Sequence, residues 1–241
     1  MPDNSYPEAI LFDLDDTIIA HTAVAGDLWQ SLCFEYAGVI GRVDSNELLR
    51  TIDNVRDWFW ADPERHRQKR LNLFQARREL LEFTFSEIGL DDISIAHQIA
   101  DKYSTRREEI AELFPGSLDT LKYFKTLDIK MALVTNGASD LQRAKIERFG
   151  LSRFFDYILV EGEYGVEKPD KSVFLHALNI LEVNGEDTWM IGDDLNRDIA
   201  GAQNVGVFSV WNDWRKKGLP DNTSIKPDRT ITAISELVLA P

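Results

Sequence analysis

Three aspartates stand directly after a short apolar run near the start of the chain. The run "AILF" occupies residues 9–12, and Asp13, Asp15 and Asp16 follow it within four positions. Carboxylates held this close repel one another and raise one another's pKa unless a cation or a hydrogen-bond network stabilises them. The segment is therefore either an ordinary acidic loop or a site that holds a metal ion and does chemistry.

Further polar residues that could do chemistry stand at the ends of later apolar runs or in the loops that follow them. They are Thr135 and Asn136 in "VTNG", Lys168 in "GVEKPD", and Asp193, Asp194 and Asp198 in "GDDLNRD". Each group also has an ordinary structural interpretation when it is taken alone. The first fits a strand-to-helix turn, the lysine fits a solvated loop, and the last fits a helix N-terminus favoured by the helix dipole.

Alternating strand and helix patterns after residue 114 indicate how these groups are positioned. Apolar runs predict strands in "KMALVTNG", "FDYILVEG", "TWMIGDD" and "VFSVW", in addition to a buried first strand over residues 9 to 14. Helical spacing between them, with Gly150 ending one helix and "TAISELVLA" forming the last, predicts an α/β fold with a doubly wound parallel sheet. Ligands bind beyond the carboxyl ends of such strands, so the polar residues at these strand ends are expected to converge, and the acidic cluster is expected to be a metal site supplied by different strands.

Residues 22 to 112 have a different texture and predict an all-helical insertion just after the first strand. Four segments show helical spacing, with no convincing strand between them. Asp44 and the Asp62-Pro63 pair have the features of helix starts, and Gly38 and Gly89 are suitable helix ends.

The charge balance argues against polyanionic partners. The chain has 241 residues, with 41 acids against 27 bases and a formal net charge of -14. Such a chain repels phosphate backbones and anionic membrane surfaces, so we expect neither nucleic acid nor membrane as a partner. A small anionic substrate would need a local cation. Cys33 is the single cysteine and is expected to pack as a small hydrophobe rather than act as a thiol catalyst; with no signal-peptide pattern, the expected address is the cytoplasm.

In these four motifs and their order the chain resembles the haloacid dehalogenase-like (HAD) superfamily. The motifs are "DLDDT", "VTNG", the lysine of "GVEKPD", and "GDDLNRD". The resemblance implies a Rossmann-like core over residues 1–19 and 114–241, with residues 20–113 as a helical cap of that family's type 1. The longer stretches "TNGASDLQRAKIERFGL", "GVEKPDKSVF" and "GDDLNRDIAGAQNVG" are most similar to the N-acylneuraminate-9-phosphatase-like group.

The resemblance also implies catalytic roles. Asp13 would attack a phosphoryl group and form an aspartyl-phosphate, and Asp15 would protonate the leaving group and then take a proton from water. Thr135 and Asn136 would bind the phosphoryl group. Lys168 would both bind it and offset the negative charge.

The same resemblance implies a Mg²⁺ cofactor. The Asp13 and Asp193 carboxylates and the main-chain carbonyl of Asp15 would hold the ion, since Mg²⁺ prefers hard oxygen ligands. Asp194 and Asp198 would hold metal-bound waters from outside, with Asp198 favoured by its spacing. Asp16 would cap the next helix or contact the cap.

The predicted reaction is hydrolysis of a small phosphate monoester, a sugar phosphate or nucleoside monophosphate, by a monomer or homodimer. A phosphomutase, a metal-free 2-haloacid dehalogenase and a non-catalytic binding protein are the alternatives. Asp15 together with Asp193 argues against the dehalogenase, because that reaction needs neither a metal nor a second aspartate. The motifs leave the mutase open.

Two further features are each open to two interpretations, and the tryptophans to one. The basic segment at residues 65–70 could bind a second anionic group of the substrate or form an exposed face that balances an acidic protein. His21 could face the site, although a solvated linker residue is favoured. Trp211 and Trp214 are expected to pack at the edge of the core.

Overall fold

The computed structural model describes residues 6–22 and 25–238 and divides the chain into two compact units. The first unit comprises Met1–Ala20 and Glu112–Pro241, and the second comprises His21–Ala111. Each unit has its own core and is described separately below.

A parallel sheet forms the centre of the first unit. Within the described residues it has six strands in the order β5-β4-β1-β6-β7-β8, and every neighbouring pair is parallel. The strands are β1 (Ala9–Phe12), β4 (Lys130–Thr135), β5 (Tyr157–Val160), β6 (Thr188–Gly192), β7 (Phe208–Asn212) and β8 (Arg229–Ile231). The predicted α/β fold with a doubly wound parallel sheet is therefore confirmed.

Strand β1 is buried on both faces, which explains its continuous apolar sequence. Ala9 and Leu11 belong to a cluster that includes Phe174, whereas Phe12 lies 6.3 Å from the ring of Phe124 on the other side. Full burial of such large apolar side chains contributes about 1.5–3 kcal/mol each. This packing fixes the strand from which Asp13 emerges.

Helices follow most of the strands of this unit. They are α6 (Ser117–Thr126), α7 (Ser139–Arg148), α8 (Glu161–Tyr164), α9 (Lys171–Leu181) and α10 (Gly201–Gln203), with a π-helical turn over Leu195–Ala200. Gly150 follows α7 with a φ of 60°, as expected of a helix end. Between β6 and β7, where the sequence has helical spacing, the chain forms the π-helical turn and the short α10.

Three short strands and the chain end differ from the prediction. Two-residue strands β2 (Ile19–Ala20) and β3 (Glu112–Leu113) pair antiparallel, and β8 pairs with β7. Strand β8 has no apolar run, and its pairing is supported by the Asp228 carboxylate, which accepts hydrogen bonds from the N–H and hydroxyl of Ser209. The predicted final helix is only a 3₁₀ turn over Ile234–Leu237, and its last residues lie outside the described part.

The second unit is helical in its described part. Its helices are α1 (Ala25–Ile40), α2 (Ser45–Ala61), α3 (Pro63–Lys69), α4 (Leu73–Glu87) and α5 (Ile93–Ile110). The Asp44 carboxylate caps α2 by accepting hydrogen bonds from two backbone N–H groups, and Asp62 caps α3, as predicted. Gly89 follows α4 with a φ of 66°. Gly38, however, lies inside α1, and Gly41 with a φ of 70° follows that helix instead.

The core of this second unit combines apolar stripes with one aromatic stack. Leu48, Ile52 and Phe59 recur along the buried face of α2 at helical spacing. Trp29 and Tyr103 stack with ring centroids 3.8 Å apart, which joins α1 to α5. Cys33 is buried in this core, and burial and then the Asp53 charge raise the pKa of its thiol to about 12. It is therefore a packing residue, as predicted.

None of the helices within residues 6–22 and 25–238 has the length and apolarity that crossing a membrane requires.

Candidate active site

The carboxyl ends of neighbouring strands bring the predicted polar groups of the first unit to one edge of the sheet. Strand β1 pairs with β4 on one side and with β6 on the other. Asp13 follows β1, Thr135 ends β4, and Asp193 follows β6. Residues far apart in sequence therefore meet because the strands that carry them are adjacent and parallel.

A buried lysine lies between two of the acids. The Lys168 Nζ donates to Asp13 Oδ1 at 2.7 Å and to Asp198 Oδ1 at 2.6 Å. Its side chain is only 2% exposed, so burial by itself would lower the lysine pKa; the adjoining Asp13 and Asp198 charges outweigh burial and raise it. Lys168 is therefore a fixed positive charge at the end of β1.

Three carboxylates surround the same point. Asp13, Asp193 and Asp198 each offer one oxygen atom, and these atoms lie within 4.8 Å of one another. Burial, together with the neighbouring acids, raises the pKa of Asp13 to about 7, even though Lys168 opposes the shift. Burial and the charges of Asp13 and Asp198 raise the pKa of Asp193 to about 9. A divalent cation would relieve this mutual repulsion, and an all-oxygen donor set suits Mg²⁺.

Asp198 and Asp194, the two acids predicted to hold metal-bound waters, make different contacts. Asp198 Oδ2 accepts a hydrogen bond from the Asp194 N–H at 3.0 Å, while Asp198 Oδ1 contacts Lys168. Asp194 Oδ1 instead accepts hydrogen bonds from the backbone N–H groups of Asn196 and Arg197, and so it caps the π-helical turn. Asp198 is thus the outer acid that lies against the cluster.

Gly192 makes the close approach of Asp198 possible. A Cβ atom at this position would lie 2.3 Å from the Asp198 carboxyl group, a distance that real Cβ atoms essentially never show. The last residue of β6 must therefore lack a side chain so that the acid can lie against the strand.

Asp15 lies apart from the three-acid cluster. Its carboxylate accepts hydrogen bonds from Lys145 Nζ at 2.7 and 2.6 Å and from Gln142 Nε2 at 3.1 Å. Sequence reasoning missed both partners. The available signal was their spacing, because Gln142, Lys145 and the apolar Ile146 share the buried face of α7, where polar residues call for an explanation.

The segment after β4 is held by its own polar groups. The Asn136 amide donates to the Lys168 carbonyl at 3.0 Å and accepts from the Lys168 N–H at 2.8 Å. The Gly137 N–H donates to the buried Glu161 carboxylate at 2.8 Å, and Thr135 Oγ1 accepts from Gln142 Nε2 at 2.5 Å. Asn136 thus contacts the backbone of the catalytic candidate Lys168, a support that the motif itself did not indicate.

Asp16 does not cap a helix. It has a φ of 61° in a tight turn that leads into β2, and its N–H donates to the Ile19 carbonyl at 2.6 Å. Asn212 Nδ2 donates to the Asp16 carbonyl at 3.3 Å. The helix-cap interpretation is wrong because the next element is a strand, and Asp and Asn tolerate left-handed backbone well enough to form such a turn.

The tryptophans near the site pack as expected. Trp211 is buried, and its indole N–H donates to the Asp193 carbonyl at 2.8 Å. Trp214 lies 5.5 Å from the ring of Phe114. Trp211 therefore also fixes the backbone of a candidate metal ligand.

In the helical unit, the basic segment is largely engaged within the unit itself. Arg67 pairs with Glu64 at 2.5 Å, Lys69 pairs with Glu79 at 2.7 Å, and the Arg65 guanidinium lies 3.9 Å from the Trp58 ring centroid. These contacts favour the interpretation of a charged helical face.

His21 is buried rather than solvated, which contradicts the favoured interpretation of a linker residue. Its Nε2 lies 3.3 Å from Glu108 Oε1 and its Nδ1 lies 3.2 Å from Arg107 Nη2. Both partners lie on α5, so His21 joins the start of this unit to its last helix.

Comparison with known proteins assigns the family. Residues 7–206 match the family model described as haloacid dehalogenase-like hydrolase. The match covers most of the chain, and the chain therefore belongs to this family. The family predicted from the four motifs is confirmed.

Individual relatives are phosphatases. The chain is 34% identical to phosphoserine phosphatase of Thermus thermophilus over 60% of its length and 57% of that enzyme. It is 37% identical to N-acylneuraminate-9-phosphatase of Rattus norvegicus over 46% of its length and 44% of that enzyme. The matched segments thus span about half of each of these relatives. They support the predicted enzyme class, a phosphoric monoester hydrolase.

A solved structure is similar over nearly the whole chain. The magnesium-bound HAD hydrolase YfnB from Bacillus subtilis has a TM-score of 0.72 and 26% identity, and the match covers 97% of each chain. The fold class is confirmed by this similarity.

Proposed function

We propose that this protein is a Mg²⁺-dependent phosphomonoester hydrolase that forms an aspartyl-phosphate at Asp13. The observation that carries the proposal is the position of Lys168, buried between Asp13 and Asp198 with Asp193 beside them. A structural ion pair needs one acid for one lysine. Three acids and one lysine at a strand end instead suit a centre that receives a cation and an anionic phosphoryl group.

Asp13 has the geometry of a nucleophile in this proposal. One of its oxygens is hydrogen-bonded to Lys168, which orients the carboxylate, and the other oxygen has no protein partner among the described residues. The unbonded oxygen attacks phosphorus as the bond from phosphorus to the leaving oxygen breaks. The step yields an aspartyl-phosphate, and hydrolysis is divided into two easier displacements.

Asp15 is the general acid and then the general base. Two residues after the nucleophile, it gives a proton to the departing alkoxide and later takes one from the water that attacks the aspartyl-phosphate. Hydrolysis of that intermediate returns the Asp13 carboxylate and releases inorganic phosphate. Lys168 holds positive charge against the phosphoryl oxygens in both steps.

The Asp13 and Asp193 carboxylates and the Asp15 main-chain carbonyl are the groups proposed to hold Mg²⁺. When bound, the ion supplies positive charge that offsets the repulsion between the nucleophile and the phosphate. Asp198 is proposed to contact metal-bound water. The Asp193 carboxylate suits its role because no hydrogen bond to it is present within the described part of the chain.

The substrate is proposed to be a small phosphorylated metabolite, a sugar phosphate or a nucleoside monophosphate. The phosphatase names of the relatives support this class, although their own substrates differ from one another. We also propose that the helical unit is a cap that selects the leaving group. We propose a cytoplasmic location as well, since the buried free thiol of Cys33 suits a reducing compartment.

The direct test is release of phosphate from p-nitrophenyl phosphate with and without Mg²⁺. We expect turnover that excess EDTA abolishes and Mg²⁺ restores. Asp13→Asn is expected to remain folded and to lose at least ~10³ in kcat, because the nucleophile itself is removed. Full activity of that variant would refute the assignment.

The same samples distinguish the alternative reactions. Halide release from chloroacetate, without need for Mg²⁺, would identify a dehalogenase. Conversion of β-glucose 1-phosphate to glucose 6-phosphate without free phosphate would identify a mutase. Failure to turn over any ester in a broad panel would favour a binding protein.

A further inference from the structure

Asp15 is held by two side chains that no motif includes. Lys145 Nζ lies within 2.7 Å of both carboxylate oxygens, and Gln142 Nε2 lies 3.1 Å from Asp15 Oδ2. Lys145 and Gln142 are themselves buried. Asp15 therefore has a built support, separate from the Lys168 contact that serves Asp13.

Helix α7 places this support. Gln142 and Lys145 are three residues apart and so lie on the same face of the helix, directed toward β1 and β4. The Gln142 amide also donates to Thr135 Oγ1 at 2.5 Å, which connects Asp15 to the end of β4. The contacts lie entirely within the first compact unit.

Lys145 and Asp15 are buried to different extents. The Lys145 side chain is 5% exposed, whereas that of Asp15 is 26% exposed. Burying a lysine is costly unless a carboxylate compensates it, and Asp15 is the carboxylate that Lys145 contacts in the described structure. The lysine is thus buried behind a partly exposed acid, which is the arrangement expected when the acid, not the lysine, meets the substrate.

We propose that Lys145 and Gln142 are positioning residues that fix the orientation of the Asp15 carboxyl group for proton transfer. The inference rests on the proposed function, in which Asp15 gives a proton to the leaving oxygen and later takes one from water. A carboxylate held at both oxygens by Lys145 rotates little, so the plane of the Asp15 carboxyl group keeps a constant direction. Neither Lys145 nor Gln142 exchanges a proton with the substrate.

The test compares leaving groups. An alkyl phosphate such as glycerol 2-phosphate needs its leaving oxygen protonated, whereas p-nitrophenolate departs without that help. In Lys145→Met, we expect kcat/KM, which reports the first phosphoryl transfer, to fall at least ~10-fold further for the alkyl ester than for p-nitrophenyl phosphate. Gln142→Leu is expected to shift the same ratio by a smaller factor.

Two variants serve as matched references. Lys122→Met removes an exposed lysine of the same unit that pairs with Asp119, and the ratio is expected to stay at the wild-type value. Lys145→Arg retains donors for both oxygens and is expected to recover part of the ratio. If Lys145→Met does not fold, Lys145→Arg and Gln142→Leu decide the question by the same ratio.

A double mutant gives an independent readout. In the Asp15→Asn background, Lys145→Met is expected to change the alkyl-ester rate by less than ~3-fold, because its effect acts through Asp15. Equal loss of kcat/KM on both esters in Lys145→Met, or an additive loss in the double mutant, would overturn the inference and leave a merely structural lysine.

Failure of the proposed function would look different. In that case the wild-type protein would hydrolyse neither ester, or Asp13→Asn would remain active. With an active wild type, an inactive Asp13→Asn and an unchanged leaving-group ratio in the Lys145 and Gln142 variants, only the positioning role would be rejected.

Discussion

The ion pairs of Lys168 and Arg78, one in each compact unit, are built in opposite ways. In the sheet unit, Lys168 is 2% exposed and contacts two acids whose side chains are 11% and 2% exposed. In the helical unit, Arg78 and Asp101 form a two-point contact at 2.7 and 2.6 Å, but their side chains are 40% and 39% exposed. Buried charges carry a desolvation cost that exposed pairs avoid. The Lys168 cluster therefore carries a desolvation cost that the Arg78–Asp101 pair does not, as the proposed catalytic role of Lys168 would require.

The largest expected effect comes from removing the buried cation. Lys168→Met leaves Asp13 and Asp198 without their shared partner, and removing one member of such a buried pair costs about 3 kcal/mol. In a chain of this size that lowers Tm by roughly 6–12 °C, and kcat should fall by at least ~10². Calorimetry and p-nitrophenyl phosphate turnover measure the two effects. An unchanged Tm would show that Lys168 contributes nothing to the balance of this cluster.

Without bound metal, removing the Asp193 carboxylate is expected to raise Tm, the opposite of the effect of removing Lys168. In the folded protein the pKa of Asp193 is about 9, above the ordinary value of a carboxyl group. The contribution of the protonated Asp193 to stability is therefore complete at low pH and is lost as pH rises toward 9. In excess EDTA, Asp193→Asn should therefore have a higher Tm than wild type at pH 8 and the same Tm near pH 4.

Magnesium provides the converse measurement on the same variant. Wild type should gain Tm on addition of Mg²⁺ at pH 8, whereas Asp193→Asn should gain much less, because it lacks one proposed ligand. A lower Tm of the variant in EDTA at pH 8 would contradict the idea that these acids destabilise the metal-free fold.

The smallest effect is expected on the surface of the helical unit. Arg78→Met breaks the contact to Asp101, yet Tm should change by no more than ~2 °C, since both side chains remain largely hydrated without the pair. The loss should shrink further at high salt. A drop as large as that of Lys168→Met would remove the contrast between the buried and the exposed ion pair.

The sequence was sufficient for features that depend on local patterns. Continuous apolar runs predicted the central strands, and Asp44 and Asp62 predicted two helix starts. Strand β8 escaped prediction because its pairing depends on Ser209 and Asp228, which are distant in sequence. Gly38 does not end α1 as predicted, because the positive φ is adopted by Gly41, and the sequence pattern does not distinguish these two nearby glycines.

The residues of the candidate site likewise include some that the sequence predicts and some that it does not. Asp13 and Asp193 were predictable because each directly follows an apolar run, and Lys168 because it matches a motif of the family that the chain resembles. Lys145 and Gln142 lie in the middle of a helix, and their importance is visible only when the strand carrying Asp15 is placed beside that helix.

The amide of Asn136 has a consequence for how this centre tolerates change. It makes a reciprocal pair of hydrogen bonds with the backbone of Lys168, as a neighbouring strand would. The position of the Lys168 ammonium group is therefore set by the end of β4, to which the Lys168 backbone is hydrogen-bonded, and not by the loop that follows α8. Insertions between α8 and Lys168 can accordingly lengthen that loop and leave the ammonium group in register with its carboxylates.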